Sequence, residues 1–165
     1  MSWYNRHDNN YYLVAISVAK RAAIFIKDSL KLAWAAGFFD GEGYVTIGQR
    51  GPYKGHKAHY LRVGINHVGK KPLYVMQELL GGCLQYQNPE KVRGNRIPRT
   101  RWITNGSTAA SVLKLLLPYL VNKKEVALLG LELHSTMRHG RKVTPEMYAY
   151  REGIKQKIKD LNAKD

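Results

Sequence analysis

The 165-residue sequence predicts a single α+β domain, in which helices back one face of a curved, saddle-shaped, four-stranded antiparallel sheet. Four short segments alternate apolar and polar residues, as half-buried strands do. The segments between and around them carry apolar residues at helical spacing, and glycine or proline marks their ends. The formal net charge is +15, and residues 48–101 alone contribute +9 of it. We expect this single domain to include an extra N-terminal helical segment.

The N-terminal part of the chain is predicted to be helical. Apolar residues at helical spacing indicate one or two helices over residues 10–30. A further helix is expected over 29–39, with Ser29 as its N-cap and with Gly41 and Gly43 ending it.

The four predicted strands come in two pairs. The first pair covers 44–50 and 58–67, joined by a Gly/Pro/Lys loop at 51–57. A helix over 72–80 ends at Gly81 and Gly82, and the second pair covers 83–88 and 98–104, joined by a polar loop at 89–97. In the second pair the inward residues are expected to be Leu84, Tyr86, Trp102 and Thr104, while Ile103 is expected to face outward with its polar neighbours.

Three helices complete the domain. The first covers 107–117, capped by Ser107 or Asn105, and Pro118 bends the chain before a second helix at about 121–136. Thr144 followed by Pro145 opens a last helix that runs to about 161. Helices must then cover the apolar face of the sheet, which leaves the polar face in water.

Several classes of protein are excluded by composition. Cys83 is the only cysteine, so the chain has no internal disulfide and no cysteine-based zinc site. Lys20 and Arg21 interrupt the most apolar run, 11–26, so no membrane partner is expected. The sequence contains no phosphate-binding loop, no dinucleotide fingerprint and no serine-nucleophile motif, so we expect no small-molecule cofactor.

The polar face of the sheet is predicted to bind double-stranded DNA. Basic side chains neutralise phosphates, and amides and arginines read base edges. The residues expected to contact DNA are Tyr44, Thr46, Arg50, Tyr60, Arg62, Asn66, Gln85, Gln87, Arg99 and Arg101.

The sequence AAGFFDGEG, residues 35–43, indicates a metal site at a helix end. Glu42 follows the helix at its C-terminus, where a carboxylate opposes the helix dipole unless a cation is near. Its carboxylate and the Gly41 carbonyl are hard oxygen ligands suited to Mg²⁺. Asp40 is interpreted as a structural cap, and four histidines are interpreted as surface residues: His56, His59, His134 and His139.

This motif resembles the signature of the LAGLIDADG homing endonucleases, in the form with one motif per chain. Ala36, Gly37, Asp40 and Gly43 match as written, and Phe38, Phe39, Gly41 and Glu42 are similar replacements. The order of helices and strands over 32–136 resembles the family core, with 1–31 as an N-terminal extension and 137–165 as a C-terminal helical part of the same domain. Residues 118–124 resemble the family region that brings a lysine to the cleaved phosphate.

The resemblance implies a site-specific endonuclease, encoded by an intron or an intein, that cleaves a long, roughly palindromic DNA target by Mg²⁺-dependent hydrolysis. It implies a homodimer that packs at Ala35, Ala36 and Gly37. Catalysis is then expected from Glu42 as metal ligand and from Lys123, which stabilises the developing negative charge. Lys124 is the alternative to Lys123 in this role. His67 and Lys71, with Lys70 as the alternative to Lys71, would position water.

Three other functions stay open from the sequence. A maturase or transcription regulator could keep the fold and bind nucleic acid without cleaving it. A general RNA-binding module is expected to present more aromatic residues than Tyr44 and Tyr60 on its sheet. A structural basic protein would not need Glu42.

Overall fold

The computed structural model describes residues 28–53, 56–87, 99–137 and 143–163, with the side chains of 52–57 and of Gln87 outside the description. The helices predicted before residue 28, residues 54–55 of the Gly/Pro/Lys loop and the whole of the polar loop 89–97 lie outside these ranges.

The first described helix, α1, covers 28–42. Ser29 is already inside this helix, so the prediction that it is the N-cap is wrong. The chain leaves α1 directly into strand β1, Gly43–Tyr53, and returns in strand β2, His56–His67. These strands pair antiparallel, with Val45 opposite Val63 and Thr46 opposite Arg62. The predicted alternation is confirmed, because Val45, Leu61 and Val63 are fully buried.

Helix α2, Lys70–Leu80, leads to strands β3, Cys83–Gln87, and β4, Arg99–Asn105. Gly81 and Gly82 have φ values of 70° and 90°, a region that side chains with a Cβ rarely adopt, which explains why glycines end this helix. The strand order is β1-β2-β4-β3, and every pair is antiparallel, so the predicted four-stranded sheet is confirmed.

The C-terminal third is helical, as expected. Helix α3, Gly106–Leu116, is followed by a 3₁₀ turn, Leu117–Tyr119, where proline interrupts the α-helical hydrogen bonds. Helices α4, Lys124–Ser135, and α5, Pro145–Asn162, follow. The Thr144 hydroxyl accepts a hydrogen bond from the Met147 N–H and caps α5.

The core lies between the apolar face of the sheet and the helices. Trp102 is its largest fully buried side chain, and the indole N–H donates to the Gly81 carbonyl at 2.8 Å. Tyr86 was expected to be inward and is instead 60% exposed. Ile103 lies on the polar face as expected, but it is only 5% exposed. Tyr86 lies at the end of a five-residue edge strand, beyond the reach of the core. None of the helices in the described ranges is long and apolar enough to cross a membrane.

Candidate active site and nucleic-acid interface

The C-terminal end of α1 carries an acid, Glu42, and is contacted by a lysine, Lys123. Glu42 is the last residue of this helix and is exposed, as is Gly41 beside it. The Lys123 ammonium donates a hydrogen bond to the Asp40 carbonyl at 2.9 Å, although the lysine is only 8% exposed. A cation at this position offsets the negative end of the helix dipole. The structure thus brings Lys123 to the end of the helix that carries Glu42.

Asp40 fixes this arrangement. Its carboxylate accepts hydrogen bonds from the backbone N–H groups of Val121 at 2.7 Å, Asn122 at 3.3 Å and Lys123 at 3.0 Å. These groups precede α4 and would otherwise lack partners at the helix start. The prediction that Asp40 is structural is confirmed. Lys124, the alternative lysine, is exposed in the first turn of α4.

His67 borders the motif helix at the end of β2. Its ring meets the Phe38 ring edge-on at 5.5 Å, and Phe38 stacks on Trp34 at 5.6 Å. The His67 Nδ1 atom lies 2.9 Å from the Gly69 N–H and 3.0 Å from the Gly69 carbonyl. Nδ1 thus has a backbone partner in either tautomer, because it can accept from the Gly69 N–H or donate to the Gly69 carbonyl. Among the described residues, no hydrogen-bond partner is found for the His67 Nε2 atom.

Lys71 and Lys70 are exposed in the first turn of α2, just after His67. The Lys70 ammonium lies over the Tyr86 ring, 5.2 Å from its centre. This contact directs Lys70 toward β3. No aromatic contact is described for Lys71.

A metal ion at Glu42 would depend on ligands from outside one chain. Among the described residues, no group of three or more His, Cys, Asp or Glu side chains is arranged to hold a metal ion. One exposed carboxylate and the carbonyl groups at a helix end fit Mg²⁺, which keeps several waters and takes substrate phosphates as further ligands.

The polar face of the sheet brings the predicted DNA-contacting residues into rows. Thr46, Arg62 and Asn105 face one another across three strands, and Asn66, Arg101 and Gln85 form a second row. Gln85 and Arg99 are exposed on this face. The backbone of Gln87 pairs with that of Arg99, and nothing is described of the Gln87 side chain.

Neighbouring side chains orient the arginines on this face. Tyr60 lies between Arg50 and Arg62, whose guanidinium carbons are 5.2 and 5.1 Å from the centre of the ring. Arg62 also donates to the Tyr60 hydroxyl at 2.6 Å and to the Asn105 Oδ1 at 3.1 Å. Asn105 was expected only as a helix cap. Its contact with Arg62 could not be predicted from nearby sequence, because the cross-strand register brings the two residues together.

Arg101 is held in the same way from the adjacent strand. Its Nε donates to the Asn66 Oδ1 at 2.8 Å, and Asn66 lies directly opposite it in the register. Tyr44 lies near both Arg101 and Arg62. Burial raises the pKa of the Tyr44 hydroxyl, and the two arginines oppose that rise. The face therefore presents guanidinium groups at set positions.

The sequence matches no protein-family model and no curated protein. The structure is similar to the homing endonuclease I-CvuI in complex with its target, with a TM-score of 0.69 and 21% identity over 82% of this chain and 84% of that chain. For the archaeal intron-encoded endonuclease I-Vdi141I complexed with DNA, the TM-score is 0.66 and the identity 14%, over 81% and 84%. The I-SmaMI LAGLIDADG homing endonuclease bound to cleaved DNA matches over 75% of this chain but 42% of its own, with a TM-score of 0.62 and 19% identity.

This chain has the fold of the LAGLIDADG homing endonucleases. In this fold, as the present structure shows it, the motif helix α1 runs directly into the first strand of the sheet. The end of α1 that carries Glu42 is therefore joined to the strand that carries Tyr44 and Thr46.

The exposed surface of α1 differs from the predicted dimer interface. Ala35 and Ala36 are fully buried within their own core, so they are not available as a contact surface and this part of the prediction is wrong. Gly37 is exposed, and a Cβ added to it or to Gly41 would meet nothing within 4 Å. The exposed stripe runs through Leu30, Ala33, Trp34, Gly37 and Gly41, because these residues share one side of a helix with 3.6 residues per turn.

His59 was expected at the surface and is instead buried, with 1% of its side chain exposed. It lies on the apolar face of β2, against Tyr148 and Glu152 of α5. Its Nε2 atom lies 2.5 Å from the Glu152 carboxylate, and Gln49 also donates to that carboxylate. The odd-numbered alternation of β2 contained this signal, since Leu61 and Val63 share the same face.

Proposed function

We propose that this chain is a site-specific, metal-dependent DNA endonuclease that acts as a homodimer. The observation that carries the proposal is the contact of the buried Lys123 ammonium with the last turn of α1, beside the exposed Glu42. A buried lysine costs free energy unless it is paired. A cation and a free carboxylate at one helix end are suited to a phosphodiester and its counterion.

Each residue has a role in hydrolysis. Glu42, with the Gly41 carbonyl, would hold a divalent cation such as Mg²⁺, which when bound activates water and neutralises phosphoryl oxygens. Lys123 stabilises the negative charge that develops on the phosphate. His67 holds a water through Nε2, and Lys71 helps to position that water. The similar endonuclease I-CvuI was crystallised with its own target in the presence of Ca and with the I-CreI target, not cleaved, in the presence of Mg. The presence of these ions in the DNA complexes supports a divalent metal here.

The proposal of a homodimer rests on the exposed stripe of α1. Small residues there allow a second copy of α1 to approach closely, and Leu30 and Trp34, 67% and 44% exposed, would be covered. This chain matches 84% of I-CvuI but only 42% of I-SmaMI, so it corresponds to half of the longer enzyme. Two copies would bring two Glu42 carboxylates together, one for each DNA strand.

Cleavage of a randomised DNA duplex library in Mg²⁺, with the cut ends sequenced, tests the proposal. We expect paired cuts at a roughly palindromic sequence. Glu42→Gln should abolish cutting but keep DNA affinity in Ca²⁺, because it removes a metal ligand and no phosphate contact. Glu78→Gln, which removes an exposed acid from α2, is the charge-matched control and should cut normally.

Two results would contradict the proposal. Normal cutting by Glu42→Gln would remove the metal assignment. Tight binding without any cutting by the unaltered chain, in Mg²⁺ and in Mn²⁺, would favour the maturase or regulator.

A further inference from the structure

A cleft of about 240 Å³ lies between α5 and β1. Thr46 and Ile47 line it from the strand, and Lys155, Ile158, Lys159 and Asn162 line it from the helix. None of the α5 residues belongs to the proposed site or to the predicted DNA-contacting face.

Two contacts fix α5 against the edge of the sheet beside this cleft. β1 is an edge strand, and the Asn162 amide donates to the Val45 carbonyl at 3.0 Å, which gives a partner to a backbone group at that edge. Ile158 is 2% exposed and anchors the same stretch of α5 in the core. The position of the two lysines relative to β1 is therefore set by the fold.

The cleft carries positive charge. Lys155 and Lys159 are four residues apart, on one side of the helix. The Lys155 ammonium lies 3.1 Å from the Glu152 carboxylate, so it is partly neutralised. Lys159 is exposed, and no carboxylate of the described ranges lies within ion-pair distance of its ammonium. An anion would complete the cleft.

The cleft also joins the polar face of the sheet. Thr46, on its rim, lies opposite Arg62 in the register, next to the arginines that Tyr60 and Asn66 orient. A duplex lying on that face would continue over the edge strand toward α5. Lysine ammonium groups act as point charges toward phosphate, without the fork of arginine that reads a base.

We propose that this cleft binds a backbone phosphate of the DNA duplex, beyond the bases that the sheet contacts. The inference rests on the proposed function, since it extends the same DNA-binding surface. α5 then adds affinity that does not depend on base sequence.

The test compares Lys159→Ala with Lys157→Ala, which removes an equal charge from the same helix outside the cleft. Affinity for a random-sequence DNA duplex is measured in Ca²⁺ over a series of KCl concentrations. We expect Lys159→Ala to make the slope of log affinity against log salt shallower by about 0.9 per bound chain, the loss of one phosphate contact. Lys157→Ala and Lys159→Arg should both show the slope of the unaltered chain.

Four outcomes overturn the inference, and the last of them overturns the proposed function as well. Equal effects of Lys159→Ala and Lys157→Ala would mean that only net charge matters. An unchanged slope for Lys159→Ala, or an effect seen with an RNA duplex of the same sequence and not with DNA, would remove the DNA phosphate from the cleft. If the unaltered chain bound no DNA at all, the proposed function would fail together with the inference about the cleft. The other outcomes concern the cleft alone, so the two failures can be distinguished.

Discussion

Asp40 shows how one side chain connects two distant parts of the sequence. It accepts three backbone hydrogen bonds from residues 121–123, which are about eighty positions away. The same contact sets the Lys123 ammonium against the end of α1. The motif acid that does not bind metal in our proposal is thus the residue that positions the proposed catalytic lysine.

Arg101 is predicted to read one base pair in each half of the DNA target. Its Nε is occupied by Asn66, which leaves the end of the guanidinium to face a guanine edge. Arg101→Ala should cost about 1–3 kcal/mol for the preferred base and relax the preference at that position. A binding profile over single base changes measures this. Arg101→Lys keeps the charge but loses the fork, so it should relax the preference too; an unchanged profile in both variants would contradict base readout by Arg101.

Glu152 makes stability depend on pH. Burial acts to raise its pKa, but hydrogen bonds from His59 and Lys155 outweigh this and lower the pKa below the ordinary value of 4.5. A lowered pKa in the folded state means that the stabilisation is complete above the ordinary value and is lost as pH falls through the lower, folded one. Glu152→Gln should therefore lower Tm at neutral pH and flatten the acid side of the Tm profile, measured by thermal unfolding. Glu78→Gln should reproduce the unaltered profile; a Glu152→Gln profile that fell as steeply in acid would contradict the assignment.

At the scale of elements, α1 has two faces with different tasks. Ala35, Ala36 and Phe39 are fully buried and anchor it to its own core, while Gly37 and Gly41 open to solvent. The small residues of the motif thus serve packing within the chain on one face and, in our proposal, approach of a second chain on the other.

Gly37→Leu should dissociate the dimer, because a branched side chain prevents close approach of the two helices. Light scattering in dilute solution should show a dimer for the unaltered chain and a monomer for the variant. Gly153→Leu is the matched control, since Gly153 is exposed on α5 and an added Cβ meets nothing within 4 Å there. A monomeric unaltered chain that cleaves DNA fully would contradict the dimer.

At the scale of the whole molecule, the charge of +15 should make DNA binding strongly dependent on salt. If each chain neutralises four or five phosphates, a dimer contacts roughly nine, and the slope of log affinity against log salt is about −8. Titration of a DNA duplex at several salt concentrations measures the slope. An affinity that hardly changes between low and moderate salt would count against a surface dominated by phosphate contacts.

Much of the fold was predictable because its signals are local. Alternation placed the four strands, and the glycine pair at 81–82 and the Thr144–Pro145 pair marked helix ends, since turns and caps depend on the residues at the turn. The motif pointed to Glu42 in the same way, by its place at a helix end, although α1 continues through Gly41 and ends at Glu42 itself. One local prediction was wrong, namely that Ser29 is the N-cap of α1. Serine is favourable at the start of a helix, but here the helix continues through it.

The sequence by itself determined the fold class, the basic sheet face and the motif acid, because periodicity, charge and helix-end chemistry are properties of neighbouring residues. Only the tertiary structure decided which small residues of α1 are exposed, that His59 is buried beneath α5, and that Asn105 and Asn66 hold the arginines. It also brought Lys123 to the end of α1 and Lys159 to the edge of β1. These facts depend on the register of strands and on the packing of helices far apart in the chain, and such contacts leave no pattern in a short window of sequence.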